Sequence, residues 1–217
     1  MTVVTRAHIE TEAMDAQIRL AELEQRNRVL EAELEQLRVY KDYAYTDMLT
    51  EIPNRRFYHE RLIQEVARAR RSRHQLGLAL LDLDFFKEIN DQIGHRAGDQ
   101  VLKFFAQFLR VNLRQEDILC RIGGDEFSVI LPDTDADHAE IFFDRVKAKL
   151  DRIDLSLDGR ADVRVSFSCG IASFAPEYTH EDFIEQADHA LYTAKARGKN
   201  QVCAASVNES LASRLVN

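Results

Sequence analysis

The sequence predicts an α/β fold of mixed type, a central sheet covered by helices, preceded by one long helix suited to pairing. Three observations carry this. From Asn54 onward, apolar runs of strand length alternate with segments of helical period. In "RIGGDEFSVILPD", residues 121–133, a Gly-Gly pair between apolar runs reads as a hairpin, so the sheet is not all parallel. Residues 9–44 contain no Gly or Pro and carry a seven-residue apolar repeat.

Composition narrows the function classes. The chain has 217 residues, 45% hydrophobic and 30% charged, enough for one globular domain and an appendage. A net charge of -8 argues against a general nucleic-acid or anionic-membrane binder. No apolar run reaches the ~20 residues that cross a bilayer. The opening "MTVVTRAHIETEAMD" lacks the apolar core of a secretory signal, so a cytoplasmic location is expected. Cys120, Cys169 and Cys203 show neither disulfide nor metal spacing and read as reduced core thiols.

The first helix comes with its own pairing code. With Ile9, Ala16, Leu23, Leu30, Leu37 and Ala44 at d, position a holds Ala13, Leu20, Asn27, Leu34 and Lys41. A parallel dimer then faces Arg19 with Glu24, Arg26 with Glu31, and Glu33 with Arg38, all opposite in sign. Asn27 in the seam is the residue type that fixes a two-stranded register. A lone helix folded back on the domain gives no reason for these pairs. The repeat weakens at "YKDYAYTD", where Tyr40 and Lys41 disturb the seam. The expected division is therefore 1–45 for a dimerising and signalling helix, 46–205 for the globular domain, and 206–217 for a tail.

Within the globular part, 54–74 has helical spacing of Phe57, Leu62, Val66 and Ala69. "LGLALLDLD" is a strand buried on both faces. "FFKEIND" opens a short helix that stops near Gly94, and "GDQVLKFFAQFLRVNLR" is another, with Asp99 as its expected N-cap. "DILCRI" and "FSVILP" are the hairpin strands. "ADHAEIFFDRVKAKL" is helical, "VRVSFSCGIASF" is one strand, "EDFIEQADHALYTAKAR" is helical to Gly198, and "QVCAA" is a last edge strand.

The acids raise the question of chemistry. Asp82 and Asp84 end the first strand, two residues apart and so on one face. Asp125 and Glu126 occupy the hairpin tip. If the hairpin flanks the first strand, the clusters meet at one sheet edge, where ligands of open α/β sheets bind. Carboxylates completed by phosphate oxygens suit Mg²⁺. The helix opened by "DFFKEIN", with Lys87, offers free N–H groups to a phosphate. Together these features suggest a metal–nucleoside-triphosphate site.

"RIGGDEF" stands with "DMLTEIPNRR" (47–56), "LDLDFFKEINDQIGHRAGD" (81–99) and "ADHALYTAKARGKN" (187–200). In these motifs and their order, residues 44 to 204 resemble the GGDEF-domain family, the diguanylate cyclases. The resemblance implies a five-stranded mixed sheet similar to the polymerase palm and the nucleotidyl cyclases. It implies condensation of two GTP into cyclic di-GMP with release of two pyrophosphates, by a homodimer in which each subunit holds one GTP. Matched by position, it assigns Mg²⁺, with Mn²⁺ as substitute, to Asp82, the carbonyl of Leu83 and Asp125. Glu126 is then a further acid of the site, and Gly124 lets the nucleotide approach the backbone. Asn90 and Asp99 take the guanine edge with His95 close by. The N–H groups of Phe85 and Phe86, with Lys87, Lys195 and Lys199, cradle phosphates. Asp47, Asn54 and Arg55 have a structural role in joining helix to domain. An RxxD site, Arg114 and Asp117 with help from Arg145, binds the product as inhibitor. The rival reading is an inert GTP- or cyclic-di-GMP-binding module, whose mark is a degraded GGDEF sequence; here that sequence is intact.

Overall fold

A computed structural model describes residues 2–157 and 161–205, in two units that divide between Ala44 and Tyr45. The expected tail, 206–217, lies outside the described residues, as do the side chains of Ile9, Ala13, Ala16, Leu37, Arg38 and Lys41 in the heptad pattern.

The first unit is a single helix, α1 (Thr2–Tyr45). Its seam residues Leu20, Leu23, Leu30 and Leu34 are all exposed. An apolar stripe at heptad spacing on a helix this long is stable in water only when another helix covers it.

The second unit begins with α2 (Arg55–Ser72), capped by the Asn54 side chain, which accepts from the N–H groups of Arg56 and Phe57. Then come β1 (Leu76–Leu83), α3 (Phe86–Ile93), α4 (His95–Asn112), β2 (Ile118–Arg121), β3 (Glu126–Pro132) and α5 (Ala136–Leu150). The chain closes with β4 (Asp154–Leu157), β5 (Ala161–Arg164), β6 (Phe167–Ser173), α6 (His180–Ala196) and β7 (Val202–Ala204). The main sheet has five strands in the order β2-β3-β1-β6-β7. All neighbours are antiparallel except β6 and β7. The sheet is mixed, and "QVCAA" supplies its edge strand.

β1 is central, and its alternation builds two cores. Leu76, Leu78 and Leu80 face α2 and α6, against Leu62, Val66, Phe183 and Leu191. Ala79, Leu81 and Leu83 face α4 and α5, against Phe105, Leu109, Phe143 and Val146. Phe105 meets Phe127 edge-on at a centroid distance of 5.0 Å. At Gly170 the backbone of α6 lies directly on β6; a Cβ there would stand 2.6 Å from Leu191 Cα. The three cysteines are free and buried, and burial pushes the Cys120 thiol up to about 12.

Two expectations need correction. Asp99 is not an N-cap: α4 starts at His95 with Gly94 as its cap. Gly94 adopts φ 105, so the chain turns from α3 into α4 earlier than a side-chain cap would place the start. The run 163–174 is not one strand. Its first part, within β5, pairs with β4 in a separate two-stranded sheet, and the chain joins the main sheet only at Phe167.

Candidate active site

The ladder between β1 and β3 brings the acids together. Asp82 pairs in register with Glu126, so both side chains leave the same sheet face. The Leu83 N–H donates to the carbonyl of Asp125 at 3.2 Å, which ties the hairpin turn to the end of β1. Burial pushes the Asp82 carboxyl above its ordinary value, and the charges of Asp125 and Glu126 push it further. Lys195, on α6, opposes this through an ion pair with Asp82 Oδ2 at 2.7 Å. The result is a half-buried patch of negative charge with one lysine as counter-ion.

The turn is fixed from behind. Arg121, at the end of β2, donates through Nη2 and Nε to the Gly124 carbonyl at 2.7 and 3.2 Å. Its Nη1 reaches Asp47 Oδ1 at 2.9 Å. Asp47 in turn accepts from Thr50, and Asn54 Nδ2 reaches the Thr46 carbonyl. Asp47 and Asn54 tie the loop before α2 together within the second unit, and Arg121, which was not singled out from sequence, joins them. A Cβ on Gly123 would collide with the Glu126 carboxylate, while one on Gly124 would meet open space. Gly123 therefore makes room for Glu126, and Gly124 leaves a free face beside the acids.

α3 and α4 pack against each other after β1. The side chain of Asn90, on α3, rests on Gly98 of α4; a Cβ there would collide with Asn90 Oδ1 and stand 2.9 Å from its Cγ. That notch sets Asn90 beside the start of the turn carrying Asp99. His95 and Asp99 are exposed and four apart on α4, hence on one face. At the N-terminus of α3, Phe85 adopts φ 58 and no side chain caps the first N–H groups. Lys87 is exposed, and Lys199 Nζ sits 4.0 Å from the Phe85 ring centroid.

Comparison with known proteins decides the family. The family model described as "Diguanylate cyclase, GGDEF domain" matches residues 44–201. The chain belongs to the GGDEF-domain family. It is 41% identical over 184 residues to diguanylate cyclase DgcP of Pseudomonas aeruginosa, covering 85% of this chain and 27% of that protein. It is 39% identical over 163 residues to the response regulator PleD of Caulobacter vibrioides, covering 74% and 36%. The chain thus spans about a third of the length of these relatives. Among solved structures, the coiled coil and GGDEF domain of DgcB from Caulobacter crescentus, in complex with c-di-GMP, superposes with a TM-score of 0.78 at 30% identity. That match covers 87% of this chain and 98% of the other.

The GGDEF domain's acids fit a hard divalent cation. Asp82, the Leu83 carbonyl and Asp125 offer oxygen only. Among the described residues no three His, Cys, Asp or Glu side chains form a ready-made cage. An ion that takes one or two carboxylates and completes its shell with substrate phosphates, as Mg²⁺ does, suits such a set. Burial first, and then the charges of Asp125 and Glu126, disfavour the ionised Asp82 carboxyl, and a cation beside it would favour that form.

Not every expected site residue joins this cluster. Asp84 is 4% exposed and turned inward, bonded to Ser166, Ser168 and Asn200 rather than paired with Asp82. Arg114 and Asp117 lie apart, on the wall of a cleft of about 610 Å³ that Arg110, Glu51 and Phe57 also line. Asp117 Oδ2 accepts from the Arg114 N–H at 2.9 Å, and its Oδ1 is buried without a partner. Burial holds the Asp117 carboxyl above its ordinary value, against the opposing Arg114 N–H and charge. Arg145, on α5, is not among the lining residues; its guanidinium stands 5.9 Å over the Phe142 ring.

Proposed function

We propose that this chain is a diguanylate cyclase module that condenses two GTP molecules into cyclic di-GMP. The observation that carries this reading is the meeting of Asp82 with the intact hairpin acids Asp125 and Glu126 beside an uncapped helix N-terminus. Asp82, the Leu83 carbonyl and Asp125 would hold Mg²⁺ or Mn²⁺. When bound, the ion stabilises charge at the α-phosphate and lowers the pKa of the attacking 3′-hydroxyl. The protein's own part is binding and orientation. Asp99 accepts from guanine N1–H and the N2 amino group, with Asn90 beside it and His95 at the rim. Adenine presents an acceptor where Asp99 needs a donor, so GTP is selected over ATP.

The N–H groups at the start of α3 and the charges of Lys87, Lys195 and Lys199 hold the phosphates. Lys195, now paired with Asp82, would be free to turn to a phosphate if a cation were held there. In each step one P–O bond forms to the 3′-oxygen and pyrophosphate leaves; the second step closes the ring. Each domain presents one GTP, so the nucleophile comes from a partner copy. The exposed stripe of α1 supports a parallel homodimer through residues 9–44, which raises the local concentration of the second half-site. GTP supply places the reaction in the cytoplasm.

The cleft bearing Arg114 and Asp117 is an inhibitory product site. A planar arginine fork suits guanine and phosphate alike, and Asp117, bonded to the Arg114 N–H, adds a carboxylate beside it. Arg145 contributes only if it moves from its place over Phe142.

Incubating the purified chain with GTP and Mg²⁺ tests the reading. Release of pyrophosphate with formation of a cyclic dinucleotide, lost in Asp125→Ala, is expected. GTP binding with no pyrophosphate would make the chain a binding module instead.

A further inference from the structure

We propose that Asp84 is a positioning residue that builds the phosphate side of the active site by fastening two strained segments to one buried carboxylate. The inference deepens the GTP-binding reading and rests on it.

Asp84 lies just past β1, two residues after Asp82, yet faces the interior. Its Oδ1 accepts from Ser168 Oγ at 2.7 Å. Its Oδ2 accepts from Ser166 Oγ at 3.1 Å and from the Asn200 N–H at 2.8 Å. Its own N–H donates to the Ser166 carbonyl at 2.9 Å. The donors come from two places distant in sequence: the start of β6 with the residue before it, and the loop after α6. One carboxylate therefore holds the end of β1 against both.

The segments it fastens are the ones that carry candidate phosphate ligands. Phe85, the next residue, has φ 58, the bend that opens the N-terminus of α3 without a side-chain cap. Lys199 and Asn200 follow each other at φ 63 and φ 49. Left-handed backbone at non-glycine residues persists where surrounding bonds over-determine it, and it gathers at functional sites. Here the bends lie on either side of the same carboxylate. The bend at Lys199 sets its ammonium over the Phe85 ring, and Asn200 Nδ2 reaches on to Asp151 Oδ1 at 3.3 Å. Since Phe85 is exposed and Lys199 only half-buried, Asp84 fixes groups that lie outside the core.

Asparagine replaces this carboxylate only in part. If its oxygen stays with Ser166 and the Asn200 N–H, its N–H₂ faces Ser168 Oγ, which can accept but must then turn its own proton away and lose the charge-assisted bond. Asp84→Asn and Ser168→Ala therefore loosen the phosphate side while leaving Asn90 and Asp99 in place. The experiment measures dissociation constants for the α,β-methylene analogue of GTP and for GMP, which lacks two phosphates but keeps the base. Asp84→Asn is expected to weaken the analogue about 10-fold and Ser168→Ala about 3-fold, with GMP affinity within about twofold of the parent. Equal weakening of both ligands, or weakening of neither, overturns the inference and leaves GTP binding by the parent intact. A parent chain that binds neither ligand overturns the GTP reading itself, and the inference with it. If Asp84→Asn fails to fold by circular dichroism, Ser168→Ala decides alone by the same criterion.

Discussion

Replacing Arg121 with Ala tests how the catalytic turn is held. The guanidinium joins Asp47 at 2.9 Å and the Gly124 carbonyl at 2.7 and 3.2 Å, with side-chain exposures of 12% for Arg121 and 24% for Asp47. At this burial, a charge-assisted bond to Asp47 contributes about 1.5–3 kcal/mol and the Gly124 contacts about 1 kcal/mol more. Arg121→Ala should therefore cost about 2–4 kcal/mol. Asp47→Asn should cost less, because Thr50 still bonds to that side chain and the Gly124 contacts survive. A double-mutant cycle by urea unfolding should give a coupling of about 1–2 kcal/mol.

The pH dependence of this pair has a fixed sign. Burial alone would raise the Asp47 carboxyl, but the bonds from Thr50 and Arg121 outweigh it and leave it below the ordinary value. Its folded pKa lies under the unfolded one, so its contribution is full above the unfolded value and disappears as pH falls through the folded one. The gap between parent and Arg121→Ala should then shrink as pH falls below the ordinary carboxylate range. Turnover should fall further in Arg121→Ala than in Asp47→Asn, since only the former frees the Gly124 carbonyl. A coupling below about 0.5 kcal/mol, or equal turnover in both variants, would refute the idea of a lock behind the turn.

Three further substitutions separate stability from function. Gly98→Ala should melt no lower than the parent, because Ala gains about 1 kcal/mol over Gly within a helix, yet raise KM for GTP about 10-fold by pushing Asn90 from its notch; steady-state kinetics and thermal melting check both. Gly170→Ala meets the Leu191 backbone and should cost more than about 3 kcal/mol, seen as loss of the folded baseline at 37 °C. Asp82→Asn should abolish turnover without lowering the metal-free melting temperature at neutral pH. The folded Asp82 binds its proton more tightly than the unfolded one, so stability declines as pH rises through its titration, and Asn removes that penalty.

The hairpin, the acid clusters and the heptad helix were legible because each rests on local signals: Gly-Gly between apolar runs, carboxylates where such runs end, and a period of seven. What escaped depends on backbone bends and distant partners. Asp84 shares the strand parity of Asp82, but β1 ends at Leu83 and the left-handed turn at Phe85 follows, so parity no longer sets its direction. Asp99 has the chemistry of a cap, yet Gly94 starts the helix a turn earlier and leaves Asp99 exposed within the second turn. The switch between sheets near Ser166 lies inside a run of uniform β-character, where only the pull of Asp84 on Ser166 marks it. Arg121 sits in a quoted motif, but its role needs Asp47, 74 residues away.

The most direct test of a reaction shared between two copies, each with its own metal site, is the rate of cyclic di-GMP formation per subunit across a dilution series of the whole chain with Mg²⁺. The rate should fall together with the dimer fraction measured by sedimentation, and an excess of Asp125→Ala subunits should suppress the remainder by forming mixed pairs. Undiminished turnover per subunit at concentrations where only monomer sediments would contradict it.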